Sequence, residues 1–248
     1  MIKSAHQAIP EAFFEDDLIT DVLHVVKSGK EATVYCCQGH PSTGAALLAA
    51  KVYRPREVRS FKNDAVYQQG RVIGGGRPDR RVQRAVRNKS RKGRQEQFAD
   101  WVSQEFQTLR RLSAAGADVP RPFACSESAI LIEYIGDRHA PASQLVHVSL
   151  APGEIRPLFG RILRNVEICL ACDRVHGDLS AFNILYWQGA VTIIDFPQSV
   201  NPEVNPRAFE LLVRDLENVC DYFAPHGIED DPYRLARQVW SRVRQPAR

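Results

Sequence analysis

The stretch that most constrains this chain is Val175–Val200, VHGDLSAFNILYWQGAVTIIDFPQSV. It spaces three oxygen-bearing side chains around one short β pattern. Asp178 follows His176-Gly177, Asn183 lies five residues on, and Asp195 ends the apolar run Val191-Thr192-Ile193-Ile194. Residues 183–187 and 191–196 flank Gly189 and read as two strands around a tight turn. A carboxylate, a carboxamide and a second carboxylate are thus expected at the mouth of one hairpin. Such a set suits Mg²⁺, a hard ion that takes a few oxygen ligands together with substrate phosphates. It leaves Asp178 to orient or deprotonate an attacking hydroxyl. The competing reading is a surface hairpin with turn-forming Asp and Asn.

Composition narrows the classes. The chain has 248 residues, 44% hydrophobic and 25% charged, as in soluble globular proteins. Its longest apolar runs, such as Ala45–Ala50, fall far short of a membrane span, so no membrane partner is expected. The acidic start (Glu11, Glu15, Asp16, Asp17) does not read as a secretory signal. Six cysteines without framework spacing suggest reduced thiols and a cytoplasmic location. Cys169 and Cys172 form a CxxC inside an apolar helical pattern, and buried thiols explain it better than zinc. The net charge of +4 hides an asymmetry: residues 54–97 carry fourteen Lys/Arg against four Asp/Glu. That excess points to an anionic partner or to a solvated loop.

In chain order, Val22–Val26 and Thr33–Cys37 read as strands joined by Lys27-Ser28-Gly29-Lys30-Glu31-Ala32. This small polar loop could offer N–H groups and an ammonium to phosphates, but alone it is an ordinary hairpin turn. Leu47–Tyr53 reads as a third strand with Lys51 inside it. That lysine either snorkels outward or has an anionic partner. Residues 54–97 lack apolar periodicity and read as a long mobile insertion, with a helical turn or two over 58–66. Phe98–Ala115 reads as an amphipathic helix closed by Gly116. Its stripe runs Phe98, Val102, Leu109, Leu112, and Glu105 occupies the missing place. A carboxylate on a buried stripe needs a cation, and Lys51 is the natural candidate. The alternative puts Glu105 at the stripe's edge. Ser128–Ile135 reads as a connecting strand. Further helices are expected over Glu154–Val175, Pro206–Phe223 and Asp231–Val243.

These parts, in this order, resemble the protein-kinase plan, and more specifically the RIO family of atypical serine/threonine protein kinases. The residues that carry the resemblance are Ser28-Gly-Lys-Glu-Ala32, Ala50-Lys51-Val-Tyr-Arg54, Glu105-Phe106, Ala115-Gly116 and Val119-Pro120. With them go Ile132-Glu-Tyr-Ile-Gly136, His176-Gly-Asp-Leu-Ser180 with Asn183-Ile-Leu185, Ile194-Asp-Phe-Pro-Gln-Ser199, and Arg214-Asp215 with Asn218-Val219. Together they span about Val22 to Phe223. Pro197-Gln198 looks like the branch with a winged-helix domain. Ser28–Ala32 and Ser180 look like the branch without one, and the short chain resembles a compact, bacterial-type member without that domain.

The resemblance implies an α+β, bilobal fold. An antiparallel β-sheet N-lobe with one key helix would span about 20–133, including the insertion 54–97. A hinge at 133–136 and a trimmed, mainly helical C-lobe at 137–248 would follow. It implies ATP and Mg²⁺ as cofactors, with Mn²⁺ as a substitute. Ser28, Lys30 and Glu31 would cover the phosphates, and Lys51 would contact them while pairing with Glu105. The backbone of Glu133 and Ile135 would hold adenine. Asp178 would be the catalytic-loop carboxylate, Asn183 and Asp195 the metal ligands, and Asp215 a brace. Some family members pass phosphate through the residue equivalent to Asp195, which implies a phosphoaspartate there. The expected activity is transfer to protein Ser/Thr or to the chain itself, with accompanying ATPase activity. Two other readings stand beside it: an ATPase switch that binds RNA or a ribosomal particle through 54–97, and a small-molecule kinase of the aminoglycoside or choline kinase type.

Overall fold

The computed structural model describes residues 6–54 and 91–244. The helical turns expected over 58–66, and most of the basic insertion, lie outside the described residues. The described chain divides into two units, residues 6–54, 91–110 and 121–141, and residues 111–120 and 142–244.

The first unit begins with a short helix α1 (Ala12–Glu15) and strands β1 (Ile19–Ser28), β2 (Ala32–Gly39) and β3 (Leu47–Tyr53). Helix α2 (Arg91–Ala114) then precedes β4 (Pro122–Cys125) and β5 (Ala129–Glu133). The strands form one antiparallel sheet in the order β1-β2-β3-β5-β4. Alternation along the strands gives it two apolar faces. Leu48, Ala50 and Leu131 pack with Phe13 and Ile9 of the N-terminal arm on one face. Cys36, Ala49 and Tyr134, with Val26 and Val34, make the other. The arm is ordered because Phe13 has this face to cover.

Helix α2 starts at Arg91, not Phe98, so residues 91–97 are helical where an insertion was expected. Arg, Lys, Gln and Glu are good helix formers and extend a helix without an apolar stripe. Of the stripe, Val102, Glu105, Leu109 and Leu112 are buried, while Phe98 at its start is half-buried. The helix ends where Gly116 takes φ 78°, a left-handed turn that favours glycine.

The second unit holds β6 (Ser143–Gln144), α3 (Pro152–Ala171), β7 (Ile184–Trp187), β8 (Ala190–Ile193), α4 (Ala208–Phe223) and α5 (Pro232–Arg244). β7 and β8 form the expected hairpin. Its two turn residues, Gln188 and Gly189, both have positive φ, the geometry that matches strand twist in two-residue turns. β6 adds a third strand on the β7 side, leaving β8 at an edge. Ile162, Leu170, Leu216, Phe223 and Ala236 give the helices their common core. α3 stops at Ala171, short of Val175, because Asp173 turns the chain with φ 56°. Among the described residues, no helix is long and apolar enough to cross a membrane.

Candidate functional site

Two clusters carry the chemistry, each built within its own unit. In the first, β3 brings Lys51 and Tyr53 to the same face of the sheet, and α2 presents Glu105. Lys51 Nζ donates to Glu105 Oε1 at 2.8 Å, and the Tyr53 hydroxyl donates to Oε2 at 2.7 Å. The Glu105 side chain is 1% exposed and that of Lys51 13%. The lysine ammonium also lies 5.2 Å from the centre of the Tyr53 ring, whose edge meets Trp101. Both carboxylate oxygens of Glu105 are therefore occupied, as a buried charge requires.

The β1–β2 loop is closed by Gly29 N–H on the Ala32 carbonyl at 2.9 Å, and Arg54 N–H on the Glu31 carbonyl at 2.8 Å. Lys30 is exposed at its tip. Thr33 pairs with Val52, so alternation puts it on the face opposite Lys51. Ser28 Oγ lies 3.4 Å from Thr33 Oγ1 and accepts from Arg54 Nη2 at 2.8 Å, which places the serine hydroxyl on that same outer side. At 133–136, Glu133 N–H is taken by the Arg121 carbonyl at 2.7 Å. The backbone N–H of Ile135 makes no hydrogen bond among the described residues.

In the second unit, the loop before β7 is pinned from α4. Asp215, 1% exposed, accepts from Gly177 N–H at 2.7 Å and from Leu179 N–H at 2.9 Å. Asn218 Nδ2 donates to the Leu179 carbonyl at 2.8 Å, and Arg214 donates to the Gly177 carbonyl. Burial pushes the Asp215 carboxyl up to about 7, while the two amides and Arg214 pull it down. Asp178, between the two clamped residues, is left facing outward. Partial desolvation raises its pKa from the ordinary carboxylate value; Arg214 opposes the shift, and the nearby Asp195 carboxylate adds to it. Asn183 Nδ2 donates to the Asp178 carbonyl at 2.8 Å and approaches Oδ2 at 3.4 Å. That orientation turns the amide oxygen of Asn183 away from these bonds.

His176 ties the loop to the strand exit. Its Nδ1 accepts from Asp178 N–H at 3.3 Å, which leaves Nε2 to donate to the Ile194 carbonyl at 3.1 Å. Ile194 N–H donates to the Asn183 carbonyl at 2.9 Å. Asp195 follows with φ 73°, a left-handed backbone rare for a non-glycine residue and common at functional sites. The Asp195 carboxylate and the Asn183 amide oxygen are hard donors in a number that leaves room for substrate phosphates, so the residues fit Mg²⁺. Among the described residues, no group of three or more His, Cys, Asp and Glu could hold a metal.

The RIO domain family profile matches residues 33–235. The chain belongs to the RIO family. The Homo sapiens serine/threonine-protein kinase RIO1 is 31% identical over 233 residues, covering 93% of this chain and 37% of that protein. The RIO-type serine/threonine-protein kinase Rio1 of Thermoplasma acidophilum is 32% identical over 139 residues, covering 56% of this chain and 72% of that protein. The solved Rio2 kinase of Chaetomium thermophilum, an ADP/Mg²⁺-phosphoaspartate complex, superposes with TM-score 0.67 at 20% identity. It covers 95% of this chain and 65% of that one, and at that identity the likeness speaks for the fold. The chain spans less than half the length of the human relative. Membership of the RIO family disfavours the small-molecule kinase reading.

Four contributors were not read from the sequence: Tyr53, His176 as a strand tie, Asp118 and Asn165. Tyr53 sits two residues from Lys51, and strand alternation alone would have put it on the lysine's face. His176 and Asp118 act through backbone groups, which leave no trace in residue type, and Asn165 bonds both the N–H and the carboxylate of Asp118.

Proposed function

We propose that this RIO-family chain is an ATP- and Mg²⁺-dependent protein serine/threonine kinase. The observation that carries the reading is Asp178 held outward between two residues clamped by Asp215, with Asn183 and Asp195 beside it. Asn183 and Asp195 would hold the metal, which neutralises charge on the transferring phosphoryl group when bound. Mn²⁺ accepts the same oxygen donors and would substitute. Lys51, fixed by Glu105, would contact the nucleotide phosphates. Backbone amides of the Ser28–Ala32 loop would cover them, with Lys30 and Glu31 at the tip. Ile135, whose backbone N–H is not otherwise bonded among the described residues, would meet the adenine edge, with Glu133 beside it. Asp178 would orient the acceptor hydroxyl and take its proton as the oxygen attacks phosphorus.

Incubation with γ-labelled ATP and Mg²⁺ tests this directly. Asp178→Ala should lower transfer about 100-fold or more while nucleotide still binds. Unchanged transfer would refute the role of Asp178. Because desolvation raises the Asp178 pKa, the acid limb of the rate profile should lie above pH 3.8, the ordinary value for the carboxyl.

The phosphoaspartate in the Chaetomium Rio2 complex supports a second step. Here an Asp195 oxygen would attack the γ-phosphorus, the bond to ADP would break, and an acyl phosphate would form. A label lost to hydroxylamine would identify it; a label stable to hydroxylamine would place it on a hydroxyl. The reading of an RNA-binding or ribosomal-particle ATPase switch rests on 54–97, most of which lies outside the described residues. All six cysteines are free thiols, which supports a cytoplasmic site of action.

A further inference from the structure

We infer that Asp118, Arg161 and Asn165 form a positioning cluster for Asp195. The inference rests on the reading of Asp195 as a metal ligand. β8 is an edge strand, so its outward N–H groups need partners from elsewhere. Ile193 N–H, two residues before Asp195, donates to the Asp118 carbonyl at 2.7 Å. Ile194 is bonded through its N–H to Asn183 and through its carbonyl to His176. The backbone entering Asp195 is thus tied at three groups within two residues. Two of the ties come from the loop that carries Asp178 and Asn183, and the third comes from Asp118.

Asp118 is itself held with little slack. Asn165 Oδ1 accepts from Asp118 N–H at 2.6 Å, and Asn165 Nδ2 donates to Asp118 Oδ2 at 2.6 Å and to the Arg161 carbonyl at 2.9 Å. Arg161 grips the same carboxylate with Nη2 on Oδ1 at 2.6 Å and Nε on Oδ2. Asn165 is 1% exposed, and a buried amide is tolerated only when bonded. Every bond that satisfies it goes to Asp118 or to Arg161, one turn earlier on α3. The spacing of the two residues by four puts them on one helix face, so α3 presents a ready-made fork for the loop. The outcome is a fixed carbonyl, and that carbonyl holds the strand that ends in Asp195. Residues that orient a metal ligand from behind set its affinity for the metal without touching it.

A loop anchor with no such role would lower overall stability and leave metal response alone, and this separates the two. The probe is MgCl₂, titrated into the full chain with saturating ADP, and read as thermal stabilisation. ADP affinity without metal and amide exchange at Ile193 are read alongside. Asn165→Ala should raise the Mg²⁺ midpoint about tenfold and expose the Ile193 amide, with metal-free ADP affinity unchanged. If Asn165→Ala does not fold, Arg161→Gln at the exposed rim should move the midpoint in the same direction by less. A lower melting temperature with an unchanged midpoint overturns the inference. So does a midpoint that moves while Ile193 stays protected. Should the unaltered chain show no response to Mg²⁺ with ADP, the metal reading itself fails, an outcome distinct from a responsive parent with an unresponsive variant.

Discussion

Glu105 and Asp215 are both carboxylates removed from water, 3% and 1% exposed, and they meet that cost in different ways. Glu105 takes its donors from side chains, an ammonium and a phenol. Asp215 takes its donors from the backbone, the N–H groups of Gly177 and Leu179. The first arrangement fixes a pair of side chains and leaves the chain path alone. The second fixes the chain path itself and, with it, the direction in which Asp178 points. A side-chain partner can be deleted along with the carboxylate. A backbone partner remains and becomes an unsatisfied donor.

That difference predicts the largest effect at Asp215. Asp215→Ala leaves two buried N–H groups without acceptors, at a cost of about 3 to 5 kcal/mol. Chemical denaturation should show this loss, and phosphotransfer should fall with it because Asp178 is no longer held outward. The pH dependence has a definite sign. The folded chain raises the Asp215 pKa to about 7 from the ordinary 3.8, so it binds that proton more tightly than the unfolded chain does. The contribution of this group to stability is therefore largest below about pH 4 and declines as pH rises through 7. Asp215→Asn should flatten that slope. An unchanged slope would show that the carboxyl titrates as in the unfolded chain.

At Glu105 the same treatment should cost less and be recoverable. Lys51→Met strands the Glu105 charge with only the Tyr53 hydroxyl, at about 2 to 4 kcal/mol. Adding Glu105→Leu removes the stranded charge. The double variant should therefore be more stable than Lys51→Met alone, with a coupling of about 1 to 3 kcal/mol, while neither supports phosphotransfer. Strict additivity in the denaturation midpoints would break the contrast, because the pair would then behave as two independent surface charges.

The same contrast governs how much could be read before any coordinates. Lys51 and Glu105 betray themselves as anomalies, a cation in a strand and an anion on an apolar stripe, and each explains the other. Asp178, Asn183 and Asp195 were legible because their spacing around a β pattern is itself unusual. The start of α2 at Arg91 was not legible, since a polar helical extension has no periodicity to detect. Asp215 could be placed only through the family resemblance, and Asp118 and Asn165 not at all. Asp215 bonds backbone N–H groups and Asp118 holds Ile193 through its carbonyl, and every residue type supplies such atoms alike. Ser28 shows the converse limit: it ends β1 where a loop residue was expected, and a motif does not tell on which side a hydroxyl emerges.

The smallest predicted effect lies at Tyr53, where the two arrangements can be compared one bond at a time. Tyr53→Phe removes the phenol that donates to Glu105 Oε2 and keeps the ring that Trp101 and the lysine ammonium pack against. A hydrogen bond to a charged acceptor is worth about 1.5 to 3 kcal/mol. Lys51 remains to neutralise the carboxylate, and its partly exposed end admits water, so the loss should sit at the lower end. Asn218→Ala removes one bond to the Leu179 carbonyl, a backbone acceptor that Asp215 still holds in place from its N–H side. If side-chain partners are the more forgiving arrangement, Tyr53→Phe should lower stability slightly and raise the KM for ATP with kcat nearly unchanged. Asn218→Ala should instead lower kcat, because it slackens the loop that aims Asp178. The reverse pattern would mean that the Lys51–Glu105 pair, and not the clamped loop, sets the rate.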